Sequence, residues 1–266
     1  MCVYKKDNPY HFRTAAESIL NQTVPPSEVV LVVDGPVPPE LNTVIKEFEA
    51  NPIFNVIRLP VNSGHGNARR IGLKNCTNEL VALMDADDIS APDRFQKQIN
   101  IFNSNPNLAI VGGNISEFVN DPLQIVAYRK VPKEDKDIKR YMKKRCPMNQ
   151  VTVMFSKSKI EDAGGYLDWY CNEDYYLWVR LAQKSYQFAN VEDILVNCRI
   201  GEDLYRRRGG WRYFKSEAKL QRYMLKNKII SFWGFSVNVI KRLIVQVLMP
   251  NRLRGWVFQR MARERT

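Results

Sequence analysis

Three carboxylates fall within four residues at Asp85, Asp87 and Asp88, directly after the apolar run Leu80-Val81-Ala82-Leu83-Met84. Ser90-Ala91-Pro92-Asp93 follows and has the form of a helix start, with Ser90 as N-cap and Pro92 in the first turn. This order places the acids at the carboxyl end of a buried strand, where open α/β sheets bind ligands. Clustered carboxylates repel one another and call for water or a cation. Hard oxygen donors with open positions suit Mg²⁺ or Mn²⁺ holding a diphosphate. A solvated acidic turn that caps the next helix is the competing reading, and these residues alone leave both open. A second acidic pair, Glu173-Asp174, follows Asn172 and precedes Tyr175-Tyr176-Leu177-Trp178-Val179-Arg180-Leu181. Acids in a first helical turn are stabilising whatever else they do, so capping is a sufficient role for this pair on its own.

The elements that must position these groups alternate. Cys2-Val3-Tyr4 is a short strand fragment, and Tyr10–Leu20 places Phe12, Ala15, Ala16, Ile19 and Leu20 on one helical face. Val29–Val33 is a continuous apolar run ended by Asp34-Gly35-Pro36, as expected of a strand covered on both faces. Leu41–Glu49 is a helix, Phe54–Leu59 a strand, Gly64–Asn75 a helix and Leu80–Met84 the fourth strand. This β-α-β-α-β-α-β order predicts a mostly parallel, doubly wound sheet flanked by helices. Gly64-x-Gly66 is not a dinucleotide fingerprint, because Arg69 stands at the third glycine position and the motif follows the third strand. Beyond the acidic loop the pattern gives a helix over Arg94–Asn103, a strand over Ala109–Gly113 and a hairpin over Phe118–Tyr128. A solvated helix follows over 133–145, then a strand over Val151–Phe155 and a turn at Gly164-Gly165-Tyr166. The first strand is short for a central position, so the native start is expected upstream of Met1.

The chain has 266 residues with 45% apolar content, enough for a sizeable core. Five cysteines without C-x-x-C spacing, and two histidines, argue for a reducing cytoplasmic compartment and against disulfide or zinc frameworks. No signal peptide is visible. The net charge of +12 is unevenly distributed: residues 206–266 carry 16 Lys+Arg against 2 acids, and the remainder is close to neutral. Such asymmetry points to an anionic surface. Residues 229–249 are apolar but interrupted by Asn238, Lys241 and Arg242, a poor membrane span. On a helical wheel these polar residues gather with Ser231 and Gln246 on one side, and Phe232, Trp233, Val237, Ile240, Ile244 and Leu248 lie on the other. That is the pattern of a basic amphipathic helix in a membrane interface, with Trp211, Trp256 and the later arginines as further contacts. Packing on the protein's own core or on a second subunit is the alternative. The tail carries no RNA-recognition or zinc-finger signature, so nucleic acid is not the expected partner.

The ordered set Tyr4-Lys5-Lys6, Glu17-Ser18-Ile19-Leu20-Asn21-Gln22-Thr23, Val32-Val33-Asp34-Gly35, Asn62-x-Gly64 with Ala68-Arg69, Met84-Asp85-Ala86-Asp87-Asp88, Gly164-Gly165-Tyr166 and Asn172-Glu173-Asp174 resembles the family 2 glycosyltransferases. The likeness is to the bacterial exopolysaccharide and lipopolysaccharide, amylovoran-type subgroup, over residues 1 to about 208. The resemblance implies a GT-A (Rossmann-like) domain over 1–208 and a basic, helical, membrane-associating tail over 209–266. It implies an inverting transfer of a sugar from a UDP-sugar to a lipid-linked saccharide in surface-polysaccharide synthesis, on the inner face of the cytoplasmic membrane. By the same resemblance Tyr4 stacks on the base, Asp34 hydrogen-bonds its ring, Arg69 sits beside base and phosphate, and Asp85 contacts the ribose. Asp87 then holds Mn²⁺ or Mg²⁺, Asp174 is the general base and Glu173 positions the acceptor. The chain departs from the family at Arg70, usually Asn, and at Gln150, often His in close relatives. No histidine follows His65 to serve as an extra metal ligand, and Arg199 with Arg206-Arg207-Arg208 occupies that region, where guanidinium groups could meet a diphosphate directly. A basic nucleic-acid-binding protein and an inactive transferase-like scaffold are the alternative readings.

Overall fold

The computed structural model describes residues 1–201 and 209–250. The Arg206–Arg208 run, Trp256 and the later arginines lie outside the described residues. The chain begins with β1 (Cys2–Val3), α1 (Pro9–Leu20), β2 (Val29–Val33), α2 (Pro39–Glu49), β3 (Phe54–Arg58) and α3 (His65–Asn75). The three strands form one parallel sheet in the order β1-β2-β3, with Cys2 beside Val32 and Val29 beside Phe54. All five side chains of β2 are buried, because helices cover both faces of this sheet. The Asn8 side chain caps α1 by accepting from the Tyr10 and His11 amides, and Pro9 opens the helix where no donor is needed. Phe12, Ala15, Ala16 and Ile19 of α1 and Leu41, Val44, Ile45 and Phe48 of α2 fill the first core.

The second sheet comprises β4 (Leu80–Ala82), β5 (Ile89–Ser90), β6 (Leu108–Phe118), β7 (Ile125–Arg129), β8 (Met154–Ser156) and β9 (Gln187–Arg199). Its order is β4-β8-β6-β9-β5, with β7 also on β6. Only β6 and β9 run parallel; the other four pairings are antiparallel. The mostly parallel sheet expected from the sequence is therefore confined to the first half. Beyond β4 the crossovers give way to the β6–β7 hairpin and to strands returning from both directions. Around this sheet lie α4 (Arg94–Ser104), α5 (Asp135–Met142), α6 (Lys157–Asp162) and α7 (Glu173–Gln183).

Two local expectations are corrected. Ser90 is not the cap of α4: it lies in β5 opposite Val196, its amide donates to the Ser18 hydroxyl, and Asp93 occupies the cap position. The buried side chain of Gln22 fastens this segment to α1, donating to the Ser18 and Ala91 carbonyls and the Ser90 hydroxyl and accepting from the Phe95 amide. The strand before the acids is also shorter and less covered than its composition suggests. Leu80 is exposed, and Val81, Ala82 and Leu83 are half-buried, because β4 pairs on one edge only.

The C-terminal region holds α8 (Trp211–Lys226) and α9 (Phe232–Leu243), which runs on into a wider turn over Ile244–Leu248. Leu220, Met224 and Ile230 belong to the second core together with Trp178 and Tyr175, so α8 is docked on the body. On α9 the polar side faces inward. Asn238 is buried and donates to Gln221 and the Lys143 carbonyl, Arg242 pairs with Glu217, and Gln246 is buried. Phe232, Trp233, Val237, Ile240, Ile244 and Leu248 all point to solvent. Among the described residues no helix is long and apolar enough to cross a membrane.

Candidate active site

A cleft of about 870 Å³ runs between the carboxyl ends of the first strands and the start of α7. Tyr4, Asp34, Asp85, Asp87 and Glu173 all line it, so acids from the two distant sequence clusters share one cavity. Arg69 and Asp174 are not among the lining residues.

Asp34 ends β2 with a buried carboxylate. One oxygen accepts from the Ser63 amide at 2.7 Å and from its hydroxyl, and the other accepts from the Gly64 amide at 3.0 Å. Its backbone carbonyl accepts from the Asn62 side chain. Asp34 thus shapes the loop leading into α3. Gly35 permits this approach: its φ is +87°, and a Cβ there would stand 2.6 Å from the Asn62 amide nitrogen. Tyr4 closes a small turn in which its amide donates to the Asp7 carboxylate and its carbonyl accepts from the Asp7 amide. Burial first, then the nearby Asp87 and Asp85, push the Asp7 carboxyl up to about 6.

At the acidic loop each carboxylate has a different setting. Asp85 accepts a 2.6 Å charged hydrogen bond from Arg69, whose side chain is only 4% exposed. Burial works to raise the Asp85 carboxyl, but the Arg69 guanidinium outweighs it and holds the group below the ordinary range. Asp87 is exposed to the cleft. Asp88 is buried and accepts from the Arg199 amide at 2.8 Å, and burial with Asp87 and Asp85 nearby raises its carboxyl well above the usual range. The three acids therefore differ in setting: Asp85 is bonded to Arg69, Asp87 is exposed on the cleft wall, and Asp88 is turned into the protein. Among the described residues no three His, Cys, Asp or Glu side chains form a ready-made metal cage. An exposed Asp87 beside Asp85 instead fits a Mg²⁺ or Mn²⁺ ion that takes its remaining oxygens from a diphosphate and water.

Arg69 lies behind Asp85. Among the described residues its second amino group is buried without a hydrogen-bond partner, as is the Tyr166 hydroxyl. Arg70 is exposed and hydrogen-bonds Asn67, in keeping with a solvated role. Arg199 directs its guanidinium at the Asp87, Val119 and Asn120 carbonyls and over the Phe118 ring, so it braces the acidic loop.

Glu173 opens α7 and meets His65 from α3, Nδ1 to Oε1, at 3.4 Å. Burial acts to raise Glu173, but His65, the Glu173 amide and Arg69 together hold it below its ordinary range. Asp174 is half-buried. One oxygen accepts from the Tyr175 amide at 2.6 Å and the other faces the Cys146 thiol. Burial first and Glu173 second push its carboxyl up to about 6. The adjacent loop 166–171 completes the rim. Arg180 of α7 holds it by donating to the Ala163 and Gly165 carbonyls. Ser216 of α8 donates to the Tyr170 carbonyl and accepts from the Asn172 side chain, and Trp169 donates to the Ser216 carbonyl. The C-terminal helices therefore buttress the cleft. Sequence reasoning missed Asp7, His65 and the Leu167–Cys171 rim. Asp7 follows Tyr4-Lys5-Lys6 directly, which was the available signal. The other two required the tertiary approach of α3, α7 and α8.

Comparison with known proteins agrees with this geometry. The chain is 34% identical over 263 residues to the UDP-Gal:alpha-D-GlcNAc-diphosphoundecaprenol beta-1,3-galactosyltransferase of Escherichia coli, spanning 99% of this chain and 95% of that protein. It is 33% identical over 258 residues to the amylovoran biosynthesis glycosyltransferase AmsE of Erwinia amylovora, covering 97% and 96%. Among solved structures, S. aureus TarS 1-349 in complex with UDP-GlcNAc superposes with a TM-score of 0.66 at 15% identity, covering 91% of this chain and 72% of that one. The mannosyltransferase PcManGT from Pyrobaculum calidifontis, in complex with GDP-Man and Mn²⁺, gives 0.62 at 14%, covering 95% and 70%. At such identities the likeness is one of fold, the GT-A fold. Residues 2–162 match the family Glycosyl transferase family 2, and with a cleft of this form the chain belongs to that family: it is a glycosyltransferase.

Proposed function

We propose that the cleft binds a UDP-sugar with a divalent cation and passes the sugar, with inversion, to a saccharide carried on a lipid diphosphate during surface-polysaccharide assembly. The observation that carries this reading is the shared cavity: Asp85 and Asp87 line one part of it and Glu173 another. A leaving group and a nucleophile need separate sets of acids. Tyr4 offers its ring to the base, and Asp34 and the Ser63–Gly64 loop offer polar contacts to the nucleoside. Arg69 anchors Asp85 for the ribose. Asp87 holds Mn²⁺ or Mg²⁺, which when bound stabilises charge on the leaving diphosphate.

On the acceptor side the acids divide the work. Asp174, with its carboxyl pushed up to about 6, accepts the proton of the attacking hydroxyl. Oδ1 is held by the Tyr175 amide, so the proton goes to Oδ2 in exchange for the Cys146 thiol contact there. Glu173, kept ionised and paired with His65, positions the acceptor hydroxyls. Two carboxyls pushed apart in this way are the pattern of an acid/base site. The rim formed by Leu167, Trp169 and Tyr170 is suited to a sugar ring.

The protein works at the cytoplasmic face of the membrane that holds such a carrier. The support is α9, whose polar side is consumed by the body while Trp233 and Phe232 are 77% and 67% exposed. A helix that presents aromatics outward beside an exposed Lys241 is built for an interface with anionic lipid. The reading is tested by calorimetric titration of UDP with and without Mn²⁺ into the protein and its Asp87→Asn variant. Metal-dependent binding that the variant loses is expected. Equal UDP binding by the two proteins would refute the donor site.

A further inference from the structure

α8 presents an unpaired basic stripe. Arg212, Lys215, Lys219, Arg222 and Lys226 recur at spacings of three and four residues, so they share one face of the helix, and all five are exposed. The one acid of α8, Glu217, is turned toward α9 and bonded to Arg242. Among the described residues none of the five cations is paired with a carboxylate. Like charges at these spacings weaken a helix, so the stripe is a burden on α8 that a bound anion relieves.

The first half of the stripe borders the cleft. The Arg212 guanidinium lies over the Tyr170 ring, 4.0 Å from its centroid, and the Lys219 ammonium lies over the Trp169 ring at 4.2 Å. Both rings line the cleft, and their faces hold these two cations at its rim. Trp169 is itself packed on Tyr176 of α7, with ring centroids 4.3 Å apart, so it is a fixed platform. Lys215 stands between the two cations, next to Ser216, whose hydroxyl accepts from the Asn172 side chain at 3.2 Å. Asn172 directly precedes Glu173, so the stripe reaches the cleft beside the acids of α7 and not beside Asp85 and Asp87. Arg222 and Lys226 carry the stripe on toward the C-terminus of α8.

We propose that Arg212, Lys215 and Lys219 form the site for the diphosphate of the acceptor. This rests on the reading of the cleft as the place where a sugar passes to a saccharide carried on a lipid diphosphate. Arg212 and Lys219 stand about 10 Å apart along the helix axis, so a diphosphate fits between them. The guanidinium forks one phosphate and the ammonium groups meet the charge as points. The anion is not the donor's, because the donor's diphosphate belongs with Asp87 and its metal on the other part of the cleft. The lipid end of the same acceptor has α9 beside it. α8 and α9 are joined through Gln221 with Asn238 and Glu217 with Arg242, and the outer face of α9 is apolar. Anionic headgroups of a bilayer would use all five cations alike and would need no aromatic seats at the cleft.

The test is calorimetric titration of geranyl diphosphate, a water-soluble lipid diphosphate without a sugar, in EDTA so that no cation carries it to Asp87. The wild type is compared with three double variants. Arg212→Gln with Lys219→Gln removes the rim charges, and Arg212→Lys with Lys219→Arg keeps them. Arg222→Gln with Lys226→Gln removes as much charge from the far end of the same stripe. The rim pair weakens binding by about tenfold or more, while the charge-keeping and far-end pairs stay within about threefold of wild type. UDP with Mn²⁺ binds all four proteins alike and their thermal midpoints agree, which separates this site from the donor site and from misfolding. No binding of geranyl diphosphate to the wild type, or equal loss in the rim and far-end pairs, overturns the proposal. Equal loss accompanied by equal loss of sedimentation with phosphatidylglycerol liposomes would assign the stripe to bilayer headgroups instead. Rim-dependent binding of geranyl diphosphate in proteins that all fail to bind UDP would refute the donor reading and leave this site standing.

Discussion

The division of labour proposed for Asp174 and Glu173 makes a pH-dependent prediction that can be worked through. Burial, and then the charge of Glu173, push the Asp174 carboxyl up to about 6. Only the ionised form can accept a proton, so kcat/KM falls on the acid side with a midpoint near 6. At pH 5 about one tenth of the plateau remains, because each pH unit below the midpoint costs about a factor of ten. Glu173→Gln removes the second-largest influence on Asp174, so the acid limb moves to lower pH even though the plateau drops through loss of acceptor positioning. Asp174→Asn removes the plateau itself. Stability carries the opposite sign. A carboxyl whose folded-state pKa lies above its unfolded value near 4 burdens the folded state when ionised. That burden is present in full above about pH 6 and disappears as pH falls toward 4. Asp174→Asn is therefore expected to melt at or above the wild-type temperature at pH 8, with the difference closing toward pH 4. The assay is initial-rate transfer from a UDP-sugar panel to a lipid-diphosphate saccharide between pH 5 and 8, paired with thermal melts. A flat wild-type profile, or an acid limb unmoved in Glu173→Gln, refutes the reasoning.

Other outcomes follow from the same structure. Replacing Phe232, Trp233 and Ile240 together by Ala removes side chains that are 67%, 77% and 55% exposed. Each forgoes roughly 1–2 kcal/mol of burial in lipid, so liposome partitioning falls by two orders of magnitude or more while thermal stability stays within about 1 kcal/mol of wild type. Unchanged sedimentation with anionic liposomes would exclude α9 as the contact. Gly35→Ala forces a side chain into left-handed backbone and toward the Asn62 amide. A loss of about 1–3 kcal/mol in urea unfolding is expected, with weaker UDP binding because the Asp34 loop shifts. Trp178→Ala empties a fully buried site under α7 and should cost about 3–5 kcal/mol, read as a lower denaturation midpoint.

Much of the first half was legible in sequence. The all-apolar Val29–Val33 run, the amphipathic Pro9–Leu20 and Pro39–Glu49 helices and the Asp34-Gly35 break each carry a local signal, because a strand between two helical layers must be apolar on both faces. The second half was less so. Strands there pair across long separations and in both directions, as β6 does with β9 in parallel and with β8 antiparallel, and no local periodicity encodes that choice. Ser90 shows the limit most clearly. Its type and position before Pro92 suit a helix cap, yet pairing with β9 and the Gln22 side chain claimed it for a short strand.

For the site, the sequence by itself determined the chemical types: acids after a strand, acids at a helix start, an arginine in α3, and one helix with an apolar face and a polar face. Tertiary structure decided what each one does. It paired Arg69 with Asp85, turned Asp88 inward, set Asp87 on the exposed cleft wall, and separated Glu173 from Asp174 by placing His65 beside one and Cys146 beside the other. It also decided which face of α9 meets the body. A helical wheel fixes that the two faces differ, but the direction they point depends on whether the body offers partners such as Glu217 and Gln221. Charge and burial are properties of neighbourhoods, and neighbourhoods exist only once the chain has folded.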